Sequence, residues 1–171
     1  MNRVASDFSG QTWKGEPINL SQYKGKKIWL AFFRYSSCPL CNLRISEMIT
    51  NYEKWQQKNL EILAVFQSGP DNIKRYVGKQ EPPFTIIADP EQKLYELYKV
   101  GNDYKGFASL NVMKLGTQAM LKGFLPGVIE GDPSRIPADF LINENFEVVN
   151  EFHGKDIGDH IPITQIESFL G

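Results

Sequence analysis

Three short apolar runs, each followed by a segment of helical character, constrain this chain more than any other feature. Residues 28–33 (I-W-L-A-F-F), 61–66 (E-I-L-A-V-F) and 84–88 (F-T-I-I-A) are short and lack polar alternation. Each therefore reads as a strand buried on both faces. After the first run, Leu43, Ile45, Met48, Ile49, Tyr52 and Trp55 recur at steps near three and four, which predicts an amphipathic helix over residues 39–57. Ser37 is its expected N-cap, and Pro39 suits the first turn because its missing N–H would have had no helical partner. Gly69-Pro70-Asp71 predicts a short helix ending near Gly78, and Asp89-Pro90-Glu91 opens another that runs to about Lys99. Strands alternating with helices imply crossover connections and one sheet with helices on both faces, an α/β fold.

The alternation breaks at residues 101–129, where Phe107, Leu110, Met113, Met120, Leu121 and Phe124 predict a helical insertion packed on the domain. Residues 138–143 and 147–152 then read as strands flanking the turn Asn143-Glu144-Asn145, so the end of the sheet is expected to be antiparallel. Residues 162–170 close the chain as a helix, with Thr164 and Glu167 at capping-box spacing. Repeats and dividing linkers are absent, and residues 1–171 read as a single domain with one insertion. At this length, with 42 % hydrophobic residues, a core needs neither disulfides nor a structural metal.

The two cysteines are thus released for chemistry, and they stand together as Cys38-Pro39-Leu40-Cys41 at a strand-to-helix junction. A free thiol of pKa about 8.5 is only about 3 % ionised at pH 7, and a shift to about 7 makes it half thiolate. A helix N-terminus supplies that shift through unpaired N–H groups and positive dipole potential. Cys38 sits where the field is strongest, and Arg34 and Arg44 add to it if they turn inward rather than into solvent. Cys41, on the same helix face, is placed to attack a mixed disulfide formed at Cys38. This assignment requires a Cys38 sulfur accessible to an electrophile.

Two thiolates with His153 and His160 would make a tetrahedral set for zinc or copper, the alternative of a metal carrier. A redox-inert adaptor docking a partner through the insertion is another. The main reading needs neither cofactor nor metal. The formal net charge of −1 argues against nucleic acid or an anionic membrane as the main partner. Charge is uneven, with nine basic against four acidic residues in 1–58 and two against nine in 130–171. The sequence has no apolar run near the length of a membrane span and no secretory-type apolar segment at its start, so a cytoplasmic location is expected.

The strand, the C-x-x-C at a helix start, the crossover pattern and the later Ile136-Pro137-Ala138-Asp139-Phe140-Leu141-Ile142-Asn143 resemble the thioredoxin-like superfamily. Within it, the resemblance is to the peroxiredoxin-like proteins of the alkyl hydroperoxide reductase and thiol-specific antioxidant group. It covers roughly residues 5–169 and implies a central mixed sheet with helices on both faces and a helical insertion before the strand that follows the cis-proline. Pro137 matches that cis-proline, which faces the active cysteines in the superfamily; a trans proline opening a strand is the other reading. Arg135 matches the family's arginine near the same strand, or else is an ordinary surface arginine. The segment 154–163 looks like the family's C-terminal portion.

The chain departs from the pattern it resembles in three places. Phe32 stands where thioredoxins carry a buried acid six residues before the first cysteine, and C-P-x-C is closer to glutaredoxins. The peroxiredoxin pattern P-x-x-x-[TS]-x-x-C is met in neither register. Placed on Cys38, it puts Ala31 and Tyr35 at the proline and Thr/Ser positions; placed on Cys41, it puts Arg34 and Cys38 there. The expectation is a thiol–disulfide oxidoreductase with Cys38 as nucleophile, Cys41 as resolving thiol and Pro137 shaping the substrate groove. A two-cysteine peroxidase with the same residues and a sulfenic acid intermediate is the alternative. Either takes a disulfide or peroxide substrate and an external thiol reductant, as monomer or homodimer.

Overall fold

The runs expected to be buried strands form the middle of a sheet in the computed structural model, which describes residues 3–171. In chain order the strands are β1 (Arg3–Val4), β2 (Ser9–Thr12), β3 (Pro17–Asn19), β4 (Lys27–Phe32), β5 (Leu60–Phe66), β6 (Thr85–Ala88), β7 (Ala138–Ile142) and β8 (Glu147–His153). The helices are α1 (Pro39–Gln56), α2 (Pro70–Arg75), α3 (Lys93–Leu97), α4 (Leu110–Leu121) and α5 (Ile163–Leu170). Side by side the strands run β1-β8-β7-β4-β5-β6-β2-β3. The β4–β5 and β5–β6 pairs are parallel, and every other pair is antiparallel.

Both faces of this sheet are covered, which is why the central strands show no polar alternation. Trp29, Ala31 and Phe33 face one side with Ile45, Met48 and Trp55 of α1 and Ile166 of α5. Ile28, Leu30 and Phe32 face the other, against Leu94 and Tyr95 of α3 and Tyr98. Trp29 and Trp55 are fully buried and meet edge to face at 5.6 Å. Aromatic pairs of this kind add about 0.5–1.5 kcal/mol beyond their area burial.

Three local expectations are corrected. The helix after Asp89 opens at Lys93 rather than beside Pro90, because Gln92 adopts a left-handed conformation with φ of 59°. Asp89 still terminates it, accepting from the Lys93 and Leu94 amides at 3.1 and 2.8 Å. The Thr164–Glu167 capping box does not form: α5 begins at Ile163, which puts Thr164 inside the helix, and Glu167 pairs with Lys54 at 2.5 Å. The expected cis bond before Pro137 is absent; all peptide bonds among the described residues are trans. The Pro137 carbonyl accepts from Gly154 N–H at 2.9 Å, next to the first β7–β8 partners Ala138 and His153. A proline at a strand's start forfeits no ladder bond. Near the N-terminus β2 and β3 form an antiparallel hairpin that the apolar runs do not announce.

The insertion forms a 3-10 turn at Tyr104–Phe107 and then α4, whose N-cap Ser109 accepts from Val112 N–H at 3.0 Å. Helix α4 packs on α1, while Leu110, Met113 and Leu121 remain exposed. From α4 the chain returns without helix or strand to β7. Among the described residues no helix is long and apolar enough to cross a membrane.

Candidate active site at the start of the first crossover helix

Strand β4 ends against β5, and the chain then turns through Arg34, Tyr35, Ser36 and Ser37 into α1. The turn is tied down by backbone-directed bonds. Ser36 N–H donates to Ser68 Oγ at 2.9 Å, Cys38 N–H to the Tyr35 carbonyl at 3.1 Å, and Asn42 Nδ2 to the Ser36 and Cys38 carbonyls at 2.8 and 3.0 Å. The cap of α1 is not the expected Ser37 but Cys38 itself. With φ −62° and ψ 119° it is extended, and its Sγ accepts from the Cys41 amide at 3.3 Å. A sulfur thus takes the place usually held by a Ser or Asp oxygen, and the amide that satisfies the helix end also stabilises a thiolate. Ser37 instead donates from Oγ to the Val128 carbonyl at 2.5 Å.

Arg34 turns inward and is 1 % exposed. Its Nη1 donates to Cys38 Sγ at 3.3 Å and its Nη2 to the Pro133 carbonyl at 2.5 Å. The guanidinium lies over the rings of Tyr35 at 4.8 Å and Phe107 at 5.2 Å. Among the described residues no carboxylate pairs with Arg34. Burying an unpaired cation is costly, so the group able to neutralise this one is the Cys38 sulfur as its thiolate. Burial alone would raise the Cys38 pKa. Hydrogen bonding from Cys41 and the charge of Arg34 outweigh it and bring the thiol down to about 6. Cys41 moves the opposite way: burial, and then the hydrogen bond and negative charge of Cys38, push it well above its ordinary value. The two thiols are thus pushed in opposite directions, Cys38 toward the thiolate and Cys41 toward the protonated form.

The other expected site residues lie elsewhere. Arg44 bonds Glu47 at 2.8 Å and the Ile161 carbonyl, and lies over Trp29. Arg135 bonds Gln67, Gln92 and the Val100 carbonyl, and lies over Tyr95 at 4.9 Å, making no bond to either cysteine. It fastens the start of β7 to the segment after α3. The histidines do not converge on the thiols either. His153 bonds Glu151 at 2.7 Å and meets Phe140, on the sheet face opposite α1, whereas His160 meets Phe33 on the α1 face. Among the described residues no group of three or more His, Cys, Asp or Glu could hold a metal. The four-ligand site considered from sequence is thus not assembled.

The sequence reading also required an exposed sulfur, and in this conformation both cysteines are 0 % exposed. Both sulfurs belong to the core cluster on the α1 face, and bonds from Ser37 to the Val128 carbonyl and from Arg34 to the Pro133 carbonyl tie the segment between α4 and β7 to the turn that carries the motif. One signal for Arg34 was present in the sequence: an arginine directly after an apolar run and four residues before the cysteine. Whether it faced solvent or sulfur depended on Phe107 and Pro133, far away along the chain.

The AhpC/TSA family model matches residues 1–150. The chain is 25 % identical over 99 residues to the chloroplastic peroxiredoxin Q of Sedum lineare, an alignment covering 58 % of this chain and 53 % of that protein. It thus spans about half the length of that relative. Among solved structures it resembles the peroxidoxin BcpB from Mycobacterium tuberculosis, with TM-score 0.72 at 11 % identity over 99 % of this chain and 94 % of the other. It also resembles the thioredoxin domain of a thiol-disulfide oxidoreductase from Bacteroides vulgatus, with TM-score 0.59 at 16 % identity over 99 % and 97 % of the two chains.

Proposed function

Because this chain belongs to the AhpC/TSA family and has a thioredoxin-like fold, we propose that it is a thiol-dependent oxidoreductase in which Cys38 attacks the substrate and Cys41 resolves the product. The observation that carries this reading is the Cys38 sulfur, held at a helix start between the Cys41 amide and the Arg34 guanidinium, each at 3.3 Å.

In disulfide exchange, the Cys38 thiolate attacks one substrate sulfur, the substrate S–S bond breaks, and the departing thiolate takes a proton. Burial, and then the hydrogen bond and negative charge of Cys38, hold Cys41 protonated, and the mixed disulfide removes the Cys38 charge. Cys41 then ionises beside Arg34 and attacks the Cys38 sulfur, releasing the second substrate thiol and leaving a Cys38–Cys41 bond. The two substrate sulfurs gain the two electrons that the dithiol loses.

A peroxide substrate is the second reading, favoured by the likeness to a peroxiredoxin Q. There the Cys38 thiolate attacks a peroxide oxygen, the O–O bond breaks, and the alcohol leaves after taking a proton. Cys41 condenses with the resulting sulfenic acid and water departs. The site lacks the peroxiredoxin Thr/Ser, replaced by Tyr35, and this favours disulfide exchange as the main activity.

The test is thiol loss and intact mass after one equivalent of oxidised substrate or peroxide. Cys38→Ser is expected to abolish reaction and Cys41→Ser to trap an adduct on Cys38. Wild-type behaviour in both variants would overturn the proposal.

A further inference from the structure

Helix α4 is apolar on two faces, and the folded chain covers one of them. Val112 and Leu115 pack against the core cluster that holds Ile45 and Met48 of α1, and Ala119 is fully buried. On the opposite side, at about 100° per residue, Leu110, Met113, Met120 and Leu121 lie within about 60° of Thr117. Leu110 and Leu121 are 84 % exposed, Met113 69 % and Met120 62 %. These four offer on the order of 600 Å², and the exposed Lys114, Thr117 and Gln118 among them bring the face near the ~800 Å² that each partner of a stable complex buries. A contiguous apolar patch of this extent marks an interaction surface.

We propose that this face binds a second copy of the chain, the two α4 helices crossing antiparallel on a two-fold axis at Thr117. The inference is independent of the redox reading. Its occupant follows from the pattern of the stripe. Met113 and Leu121 stand four residues to either side of Thr117, so an antiparallel copy sets Met113 against Leu121 of the partner subunit, and the reverse. Gly116 and Thr117 are small and let the two backbones approach at the axis. A recess of about 540 Å³ between α1 and α4, lined by Leu43, Leu115 and Leu121, adjoins the stripe. The same register brings Met113 of the partner subunit to its mouth.

Charge agrees with this pairing. Residues 110–122 carry Lys114, Lys122 and no acid. In the antiparallel register Lys114 faces Met120 of the partner subunit and Lys122 faces its Val112, so no two lysines meet, whereas a parallel pair would set Lys114 beside its own copy. The lysine stems can lie along apolar surface with their ammonium groups in water. A lipid surface is the less suited occupant. A helix lying on a membrane carries many cations on the side away from its apolar stripe, and here that side is packed on α1.

The experiment is sedimentation velocity of the reduced full chain. Between about 1 and 200 µM it should show a monomer–dimer equilibrium with Kd on the order of 10 µM, the weak end for an interface of this size. Met113→Glu puts a charge into the stripe and should raise Kd about tenfold or more. Its urea midpoint at low concentration should stay that of wild type, because the side chain faces solvent in the monomer. Thr117→Cys in a Cys38→Ser/Cys41→Ser background supplies a second arm. Under diamide it should cross-link to itself about tenfold faster than Asn145→Cys at the exposed β7–β8 turn, because the dimer holds the two sulfurs together. If Met113→Glu misfolds, the cross-linking arm decides. A wild type that stays monomeric at about 200 µM overturns the inference, as does an unchanged Kd in folded Met113→Glu or equal cross-linking at the two positions. A monomer that binds vesicles of equal phosphatidylglycerol and phosphatidylcholine, and loses them in Met113→Glu, overturns it in favour of a lipid surface.

Discussion

Arg34 Nη1 lies 3.3 Å from Cys38 Sγ, with the guanidinium buried and unpaired with any carboxylate among the described residues. The cation and the thiolate therefore depend on each other, and separate measurements can address each half of that dependence.

Replacing Arg34 by Gln keeps a donor but removes the charge, so the Cys38 pKa should rise from about 6 toward or above the ordinary thiol value. Thiolate absorbance near 240 nm, titrated in Cys41→Ser backgrounds with and without Arg34→Gln, measures the shift. Alkylation by iodoacetamide at pH 7 should slow by about tenfold or more. An unchanged titration would show that the helix end alone holds the anion.

A depressed Cys38 pKa also ties stability to pH. The folded value lies below that of the unfolded chain, so the thiolate's contribution is present above about pH 9 and is lost as pH falls through about 6. The reduced protein should thus lose stability across this window by an amount on the order of a few kcal/mol. The oxidised protein, with no thiol to titrate, should not show this component. Denaturant midpoints of both forms at several pH values check it.

As the cap of α1, Cys38 has a structural duty apart from chemistry. Cys38→Ser keeps an oxygen able to accept from the Cys41 amide, and Cys38→Ala does not. The Ser variant should therefore be the more stable by about 1 kcal/mol. Equal urea midpoints would place the cap elsewhere.

The bond from Ser37 Oγ to the Val128 carbonyl ties the segment after α4 to the residue before the buried Cys38. Ser37→Ala removes the bond to the Val128 carbonyl and should speed Cys38 alkylation several-fold, with faster amide exchange confined to residues 122–134. A rate equal to that of wild type would show that this strap does not control entry.

Asp139 is the acid on the α1 face of the sheet, and it is fully buried in an otherwise apolar strand. Trp29 Nε1 and the Ile161 amide donate to it at 2.8 and 3.0 Å, and His160 Nδ1 lies 3.8 Å away. Burial pushes its pKa up, but His160, Arg44 and the Ile161 amide outweigh this and hold it below the usual carboxylate range. Its stabilisation is present above the unfolded pKa and is lost as pH falls through the folded one, so it weakens only in acid. Asp139→Ala leaves the Trp29 and Ile161 donors unpaired and should cost about 3 kcal/mol or more, read from the thermal midpoint at neutral pH.

Much of this architecture was legible in spacing. The runs at 28–33, 61–66 and 84–88 announced strands within a residue or so of β4, β5 and β6, and the three-and-four recurrence after Cys38 announced α1. Errors gathered where local chemistry offered two outcomes. Ser37 and Cys38 were both able to cap, Pro90 suited a turn as well as a helix start, and Pro137 suited a trans strand as well as a cis turn. Asp139 carried no sequence signal of its role, because an acid in A-D-F-L-I acquires meaning only from Trp29 and Ile161 across the sheet.

By itself the sequence determined the α/β alternation, the antiparallel hairpin near its end and a dithiol at a helix start, because periodicity and residue spacing are properties of neighbouring side chains. Only the tertiary structure decided that Arg34 rather than Arg135 meets the thiol, that the two histidines lie on opposite faces, and that both sulfurs are buried. The physical reason is that a charge acts strongly on its neighbour once water is excluded, and the groups that exclude it around Arg34 include Phe107 and Pro133, which are distant in sequence and adjacent only after folding.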